Sequence, residues 1–260
     1  MRLPRPHAPF LVVARRLASP FFPESCWITG AGLTAAEQGL SLAVRRKLEY
    51  LLNWPYCFKC GLTLGSHSQT AGCPRCASRS LTLRCLLRAG PLHGPLASMV
   101  HQLKFRRQWG IAPVLADWMA AACRHRPNVP MDILIPVPLH PVRQWSRGFN
   151  QAAELAHGVG DRLNLPIAQV LRRRRATRPQ TRTQSAAERR DNLRGAFAAV
   201  DGFDLAGRHV WLVDDVCTTG ATLHAAAGAL RAIPRDRRPA SINALVAAVA
   251  DGTPIPDQHS

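Results

Sequence analysis

Asp214 and Asp215 stand side by side, directly after the apolar run 210–213 and just before the small and hydroxylated residues Cys217, Thr218, Thr219, Gly220, Ala221 and Thr222. Two adjacent carboxylates can accept hydrogen bonds from a pair of vicinal sugar hydroxyls. A Thr-Thr-Gly loop offers hydroxyls and backbone N–H groups to a phosphate. If an alanine-rich helix opens at that loop, its dipole adds to the attraction for a dianion. Glycine at 220 lets the backbone approach without a Cβ clash. The chemistry written here is that of holding a sugar phosphate.

A second candidate lies upstream. The run 132–137 (DILIPV) ends in Pro138, Leu139, His140 and Pro141, a proline-dense turn, with Arg143 and Arg147 just beyond. An arginine directly ahead of a helix start can meet a diphosphate with a bidentate fork. The Val137–Pro138 peptide is a candidate for an unusual turn, and the sequence leaves its cis or trans state open. Four cysteines form a third group: Cys57 and Cys60, then Cys73 and Cys76, each a C-x2-C pair in a turn-prone setting. Two such knuckles on a hairpin converge four thiolates on one tetrahedral Zn2+. A redox dithiol would occur once, at a helix start. Cys26, Cys85 and Cys123 lack partners at ligand spacing and read as small hydrophobes; at Cys217 the backbone matters more than the sulfur.

The elements that must hold these residues follow from periodicity. Apolar positions Leu40, Val44, Leu48, Leu51 and Leu52 predict one amphipathic helix over 35–54. A zinc hairpin covers about 55–80. Residues 96–124 read as helix interrupted near Gly110 and Pro113. Then come a strand over 132–137, a helix over 150–163, a basic segment over 171–194 and a short strand at 196–200. A strand at 209–213, a helix over 219–233 and a last strand at 241–248 complete the chain. Strands alternating with helices predict a parallel α/β sheet whose ligand lies at the strand C-terminal edge, where both loops fall. Four regions are expected: an N-terminal extension (1–54), a zinc ribbon (55–84), an α/β domain (85–252) and a tail (253–260).

Composition limits the partners. The chain has 260 residues and a formal net charge of +18, with 34 Lys+Arg against 16 Asp+Glu, which points to phosphate-bearing ligands, small or polymeric. An apolar fraction of 47% excludes disorder throughout. The N-terminal apolar run is five residues, broken by Arg15 and Arg16, too short for a signal or spanning segment. A cytoplasmic protein is expected, with its cysteines reduced or metal-bound.

The ordered blocks CFKC and CPRC, LKFRRQWG, DILIPVPLHPVRQWSRGFNQ, ERRDNLRGAF and VWLVDDVCTTGATL resemble the ComF family, competence-associated proteins with a zinc ribbon ahead of a type I phosphoribosyltransferase-like domain. The resemblance covers about residues 55–250. It implies that Asp214 to Thr222 bind phosphoribosyl pyrophosphate (PRPP) with Mg2+, and that Val137, Pro138 and Leu139, with Arg143 and Arg147, form the pyrophosphate loop. It assigns Lys104 and Phe105 to a motif ahead of the core and Asn150 to the motif opening a helix. Arg189 and Asn192 fall in the block closing a base-binding hood, to which the basic segment with Arg174 contributes. Cys26 stands alone, with Thr29 where a further cysteine partner would fall. Where 6-oxopurine enzymes carry an aspartate before the Thr-Gly of the loop, this chain has Thr218, which disfavours that form of purine salvage.

Three functions fit these features. A transferase would displace pyrophosphate from C1 of PRPP with a nitrogen nucleophile, in nucleotide metabolism. A binding protein would use the cluster Arg172–Arg175, Arg178, Arg182, Arg189, Arg190 and Arg194 on single-stranded DNA during uptake, in company with the uptake machinery. A sensor would bind PRPP without reacting it. A solvated surface loop is the plain alternative for the arginine cluster.

Overall fold

The computed structural model describes residues 25–34, 37, 39–65, 73–77, 82–105, 108, 110–139, 148–174, 193, 195–250 and 252. These fall into two units, one ending at Glu49 and one running from Tyr50 onward. In the first, residues 25–32 form a closed turn, with Ser25 bridged to Gly32 and Cys26 buried. Helix α1 (Leu42–Asn53) crosses the boundary. It begins later than its apolar spacing predicts. Glu37 accepts hydrogen bonds from the Leu42 N–H and the Thr34 hydroxyl, and Ser41 Oγ accepts from the Val44 N–H. Side chains that satisfy the first N–H groups mark a helix start.

The second unit is built on a parallel sheet. Its strands are β1 (Leu86–Pro91), β2 (Ile133–Pro136), β5 (His209–Cys217) and β6 (Ser241–Val249), in the order β1-β6-β5-β2. Every residue of β6 is buried, as expected for a parallel strand covered on both faces. One face packs on α6 (Ala221–Arg231) and on an antiparallel ribbon of β3 (Leu171–Arg173) and β4 (Phe197–Ala199); Val210, Leu212, Ala244, Val246, Leu223 and Leu230 share this core. The other face is covered by α4 (Ile111–Arg124) and α5 (Gln151–Leu163), with α3 (Gly94–Phe105) beside β6. A single turn of helix, α2 (Pro74–Ala77), carries the second cysteine knuckle.

The structure departs from the sequence pattern at four places. β1 is an edge strand that the pattern does not announce, because Arg88 interrupts its apolar run. Yet Arg88 is only 1% exposed: it donates to Thr63 Oγ1 at 2.9 Å and lies 4.8 Å above the Tyr56 ring. β3 lies at the head of the basic segment. α3 ends at Phe105 and α4 begins at Ile111, with Pro113 in the first turn of α4, where its missing N–H costs nothing. Finally, β5 runs on through both aspartates to Cys217, held by register with β6 (Asp214 opposite Val246, Cys217 opposite Val249).

Candidate phosphoribosyl cleft and cysteine cluster

A cleft of about 180 Å³ opens at the C-terminal ends of β2 and β5. β2 and β5 pair in parallel, Pro136 opposite Val213, and the Val137 N–H donates to the Val213 carbonyl at 2.9 Å. The chain leaving β2 is thereby laid beside the two aspartates. Asn150 fixes the other wall. As the N-cap of α5 it accepts from the Ala152 N–H at 3.1 Å, and its Nδ2 donates to the Val137 carbonyl at 3.2 Å. One side chain therefore ties the β2 loop to a helix N-terminus that faces the cleft. Among the described residues every peptide bond is trans, Val137–Pro138 included.

Asp214 and Asp215 both line the cleft, with Val137, Pro138, Leu139, Asn150, Thr218 and Thr222. The Asp214 carboxylate accepts from the Asp215 N–H at 2.9 Å. Burial, and then the charge of Asp215, push the Asp214 carboxyl up to about 7, against the pull of Lys104 and Arg173. Lys104, from the last turn of α3, places Nζ 3.0 Å from Asp215 Oδ1.

The loop that follows shapes the floor. Gly220 has φ +78°, a left-handed conformation, and a β-carbon there would come 3.3 Å from the His224 ring. Thr219 Oγ1 accepts from the Ala221 N–H at 3.4 Å, closing the turn into α6. Cys217 and Ala221 are buried. Burial, reinforced by the Asp214 charge, drives the Cys217 thiol up to about 12, so it remains a neutral thiol. Thr218 and Thr222 are the loop side chains that line the cleft.

Gln151 and Ala152 also line the cleft, and sequence reasoning did not place them there; Arg173, which it placed in the arginine cluster, lines the cleft too. Period-two alternation was the available signal: on β3, Arg172 is exposed while Arg173 turns inward, its guanidinium 5.3 Å from the Phe197 ring. Arg174 lines a separate hollow of about 350 Å³ with Phe197, Phe203 and Ile233. Arg143, Arg147, Arg189 and Asn192 lie outside the described residues. A larger cavity of about 600 Å³, by the first cysteine knuckle, holds none of the predicted residues and no carboxylate.

Cys57, Cys60, Cys73 and Cys76 converge, with all four sulfurs within 4.8 Å of one another. Cys57 and Cys76 sulfurs are 3.6 Å apart, and those of Cys60 and Cys73 3.5 Å. Bonds of ~2.3 Å to a central zinc imply S···S edges of ~3.8 Å, far from the ~2.05 Å of a disulfide. The cluster can therefore hold a tetrahedral metal. The first knuckle is anchored on the sheet, since Leu86 N–H donates to the Phe58 carbonyl at 2.9 Å. Mg2+ fits the acid pair less well, because the Lys104 ammonium already lies against Asp215. No helix among the described residues is long and apolar enough to cross a membrane.

The phosphoribosyl transferase domain model matches residues 146–252. Competence protein F of Haemophilus influenzae is 34% identical over 218 residues, covering 81% of this chain and 92% of that protein. DNA utilization protein YhgH of Escherichia coli K12 is 31% identical, covering 77% of this chain and 88% of its own length. Among solved structures, a glutamine PRPP amidotransferase from B. subtilis aligns with a TM-score of 0.33 at 20% identity, over 51% of this chain and 25% of that one.

Proposed function

Because this chain belongs to the ComF family of competence protein F and its relatives, we propose that its cleft binds a phosphoribosyl ligand, PRPP or a close relative, and that the protein serves the uptake or use of DNA. The observation that carries the reading is the convergence in one cleft of two aspartates, a proline-bearing loop, a capped helix N-terminus and two threonines. In this reading Asp214 and Asp215 accept from the ribose hydroxyls. The 5′-phosphate takes Thr218, Thr222 and the N–H groups where α6 opens. A diphosphate takes the 137–139 loop and the N-terminus of α5, where orphan N–H groups and the dipole favour anions. Arg143 and Arg147 follow that loop in sequence.

Zinc is the metal the four thiolates suit best, and its part is structural: it ties the two knuckles together. The ligand chemistry needs no membrane, and a cytoplasmic setting keeps the thiolates reduced.

A melting-temperature series tests the cleft. PRPP should raise the melting temperature by binding the folded state alone. Ribose 5-phosphate should raise it less, since it leaves the diphosphate end empty, and Asp215→Asn should reduce the PRPP effect. No shift with millimolar PRPP removes the phosphoribosyl reading.

Nucleic-acid binding is the second reading, favoured by the net charge of +18 and by the run Arg172–Arg175. Each neutralised phosphate releases a counterion, so affinity for single-stranded DNA should fall steeply with salt. Serine at those four positions should flatten that slope.

A further inference from the structure

Lys104 lies well outside the residues 146–252 that match the phosphoribosyl transferase domain. It nevertheless reaches into the cleft. Its Nζ is 3.0 Å from Asp215 Oδ1, and the two side chains are only 22% and 11% exposed. Among the described residues lining the cleft, two basic side chains, Lys104 and Arg173, face the two carboxyls of Asp214 and Asp215.

A divalent ion bound to that Asp215 oxygen would sit beside an ammonium in a poorly solvated space, where like charges repel strongly. Otherwise it would have to displace the ammonium and break a largely buried pair, stranding a charge. An ammonium has three N–H donors, so one can hold Asp215 while two remain for ligand oxygens or water.

We propose that Lys104 is the resident cation of this cleft, orienting Asp215 and neutralising the acid pair so that a phosphoribosyl ligand binds without a divalent metal on those acids. The inference rests on the phosphoribosyl reading above. It makes Lys104 a positioning residue contributed by α3, ahead of the transferase-like segment.

The test is calorimetric titration with PRPP in buffer freed of divalent ions by chelating resin, with and without added Mg2+. No soluble chelator is present, so the zinc-loaded protein stays intact. The wild-type dissociation constant should be nearly the same in both buffers. Lys104→Met should bind at least about tenfold more weakly without Mg2+ and recover when Mg2+ is supplied. Lys104→Arg should stay independent of Mg2+. Rescue by a small cation separates this role from a merely structural one, which Mg2+ would not repair.

Wild-type binding that requires Mg2+ overturns the inference while leaving the phosphoribosyl reading intact. So does Lys104→Met binding normally without metal. If wild type binds PRPP in neither buffer, the phosphoribosyl reading itself falls and this inference with it. Should Lys104→Met fail to fold, the wild-type response to Mg2+ still decides.

Discussion

Replacing Asp214 with asparagine removes a carboxyl that the cleft holds at about 7, against an ordinary value of 3.8. In the unfolded chain this group loses its proton near pH 4, while in the folded protein it keeps it until about pH 7. Between those limits the folded state binds more protons than the unfolded one, so this group's contribution to stability falls as pH rises. Its destabilising effect is absent below pH 4 and complete above pH 7. Three pH units at 1.36 kcal/mol each set a ceiling of about 4 kcal/mol. Asp214 keeps some contact with solvent, so the real figure lies below that ceiling. Asparagine imitates the protonated form and carries no such penalty. The difference between Asp214→Asn and wild type should therefore grow as pH rises from 5.5 to 8.5, by up to about 2 kcal/mol over the 1.5 units below pH 7. For a domain of this size that is roughly 4–8 °C in melting temperature. The assay is a melting series across this window, taking the variant minus wild type at each pH so that other titrating groups cancel. The variant should be the more stable protein at pH 8.5 and yet lose its response to PRPP. A difference that stays flat with pH would refute the electrostatic argument. So would a variant that is less stable at pH 8.5 than at 5.5, relative to wild type.

Gly220→Val should cost at least about 1–2 kcal/mol, because a branched residue is forced to φ +78°, and should abolish ligand stabilisation; denaturant unfolding with and without PRPP measures both. Asn150→Ala removes the N-cap of α5 and the bond to the Val137 carbonyl. It should lower stability by about 1–2 kcal/mol and weaken PRPP more than ribose 5-phosphate, since the damage is local to the 137–139 end. Cys73→Ser should lose its zinc by elemental analysis and open the knuckles to protease while the melting transition of the sheet persists. Full zinc content in that variant would refute the four-thiolate site.

The sheet was legible wherever a strand is a continuous apolar run. The apolar runs 210–213 and 244–249 announce the two central strands because both faces of each are covered. β1 was illegible for a specific reason. Arg88 reads as a surface residue, and only the tertiary structure supplies Thr63 and the Tyr56 ring to accept it. β3 was hidden similarly, three residues at the head of an arginine run whose strand character depends on pairing with β4. Local propensity cannot report a partner 24 residues away, and the pairing of Arg173 with Phe197 is such a case.

The cleft divides along the same line. Asp214, Asp215 and the threonine loop are contiguous, so one segment writes them together. The residues around them are scattered: Lys104 from α3 and Arg173 from β3 pull the Asp214 carboxyl back down, and Asn150 positions the neighbouring loop through a backbone carbonyl 13 residues earlier. The parallel topology brings these segments to one edge, since each connection returns its strand to the same end of the sheet. Chemistry that recognises a ligand can be written locally, in a loop that must fold as a unit around it. Chemistry that tunes ionisation needs burial and a counter-charge, and both arise only when distant elements pack. Asp214 is the meeting point of the two: its position is a sequence motif, while its proton affinity belongs to the fold.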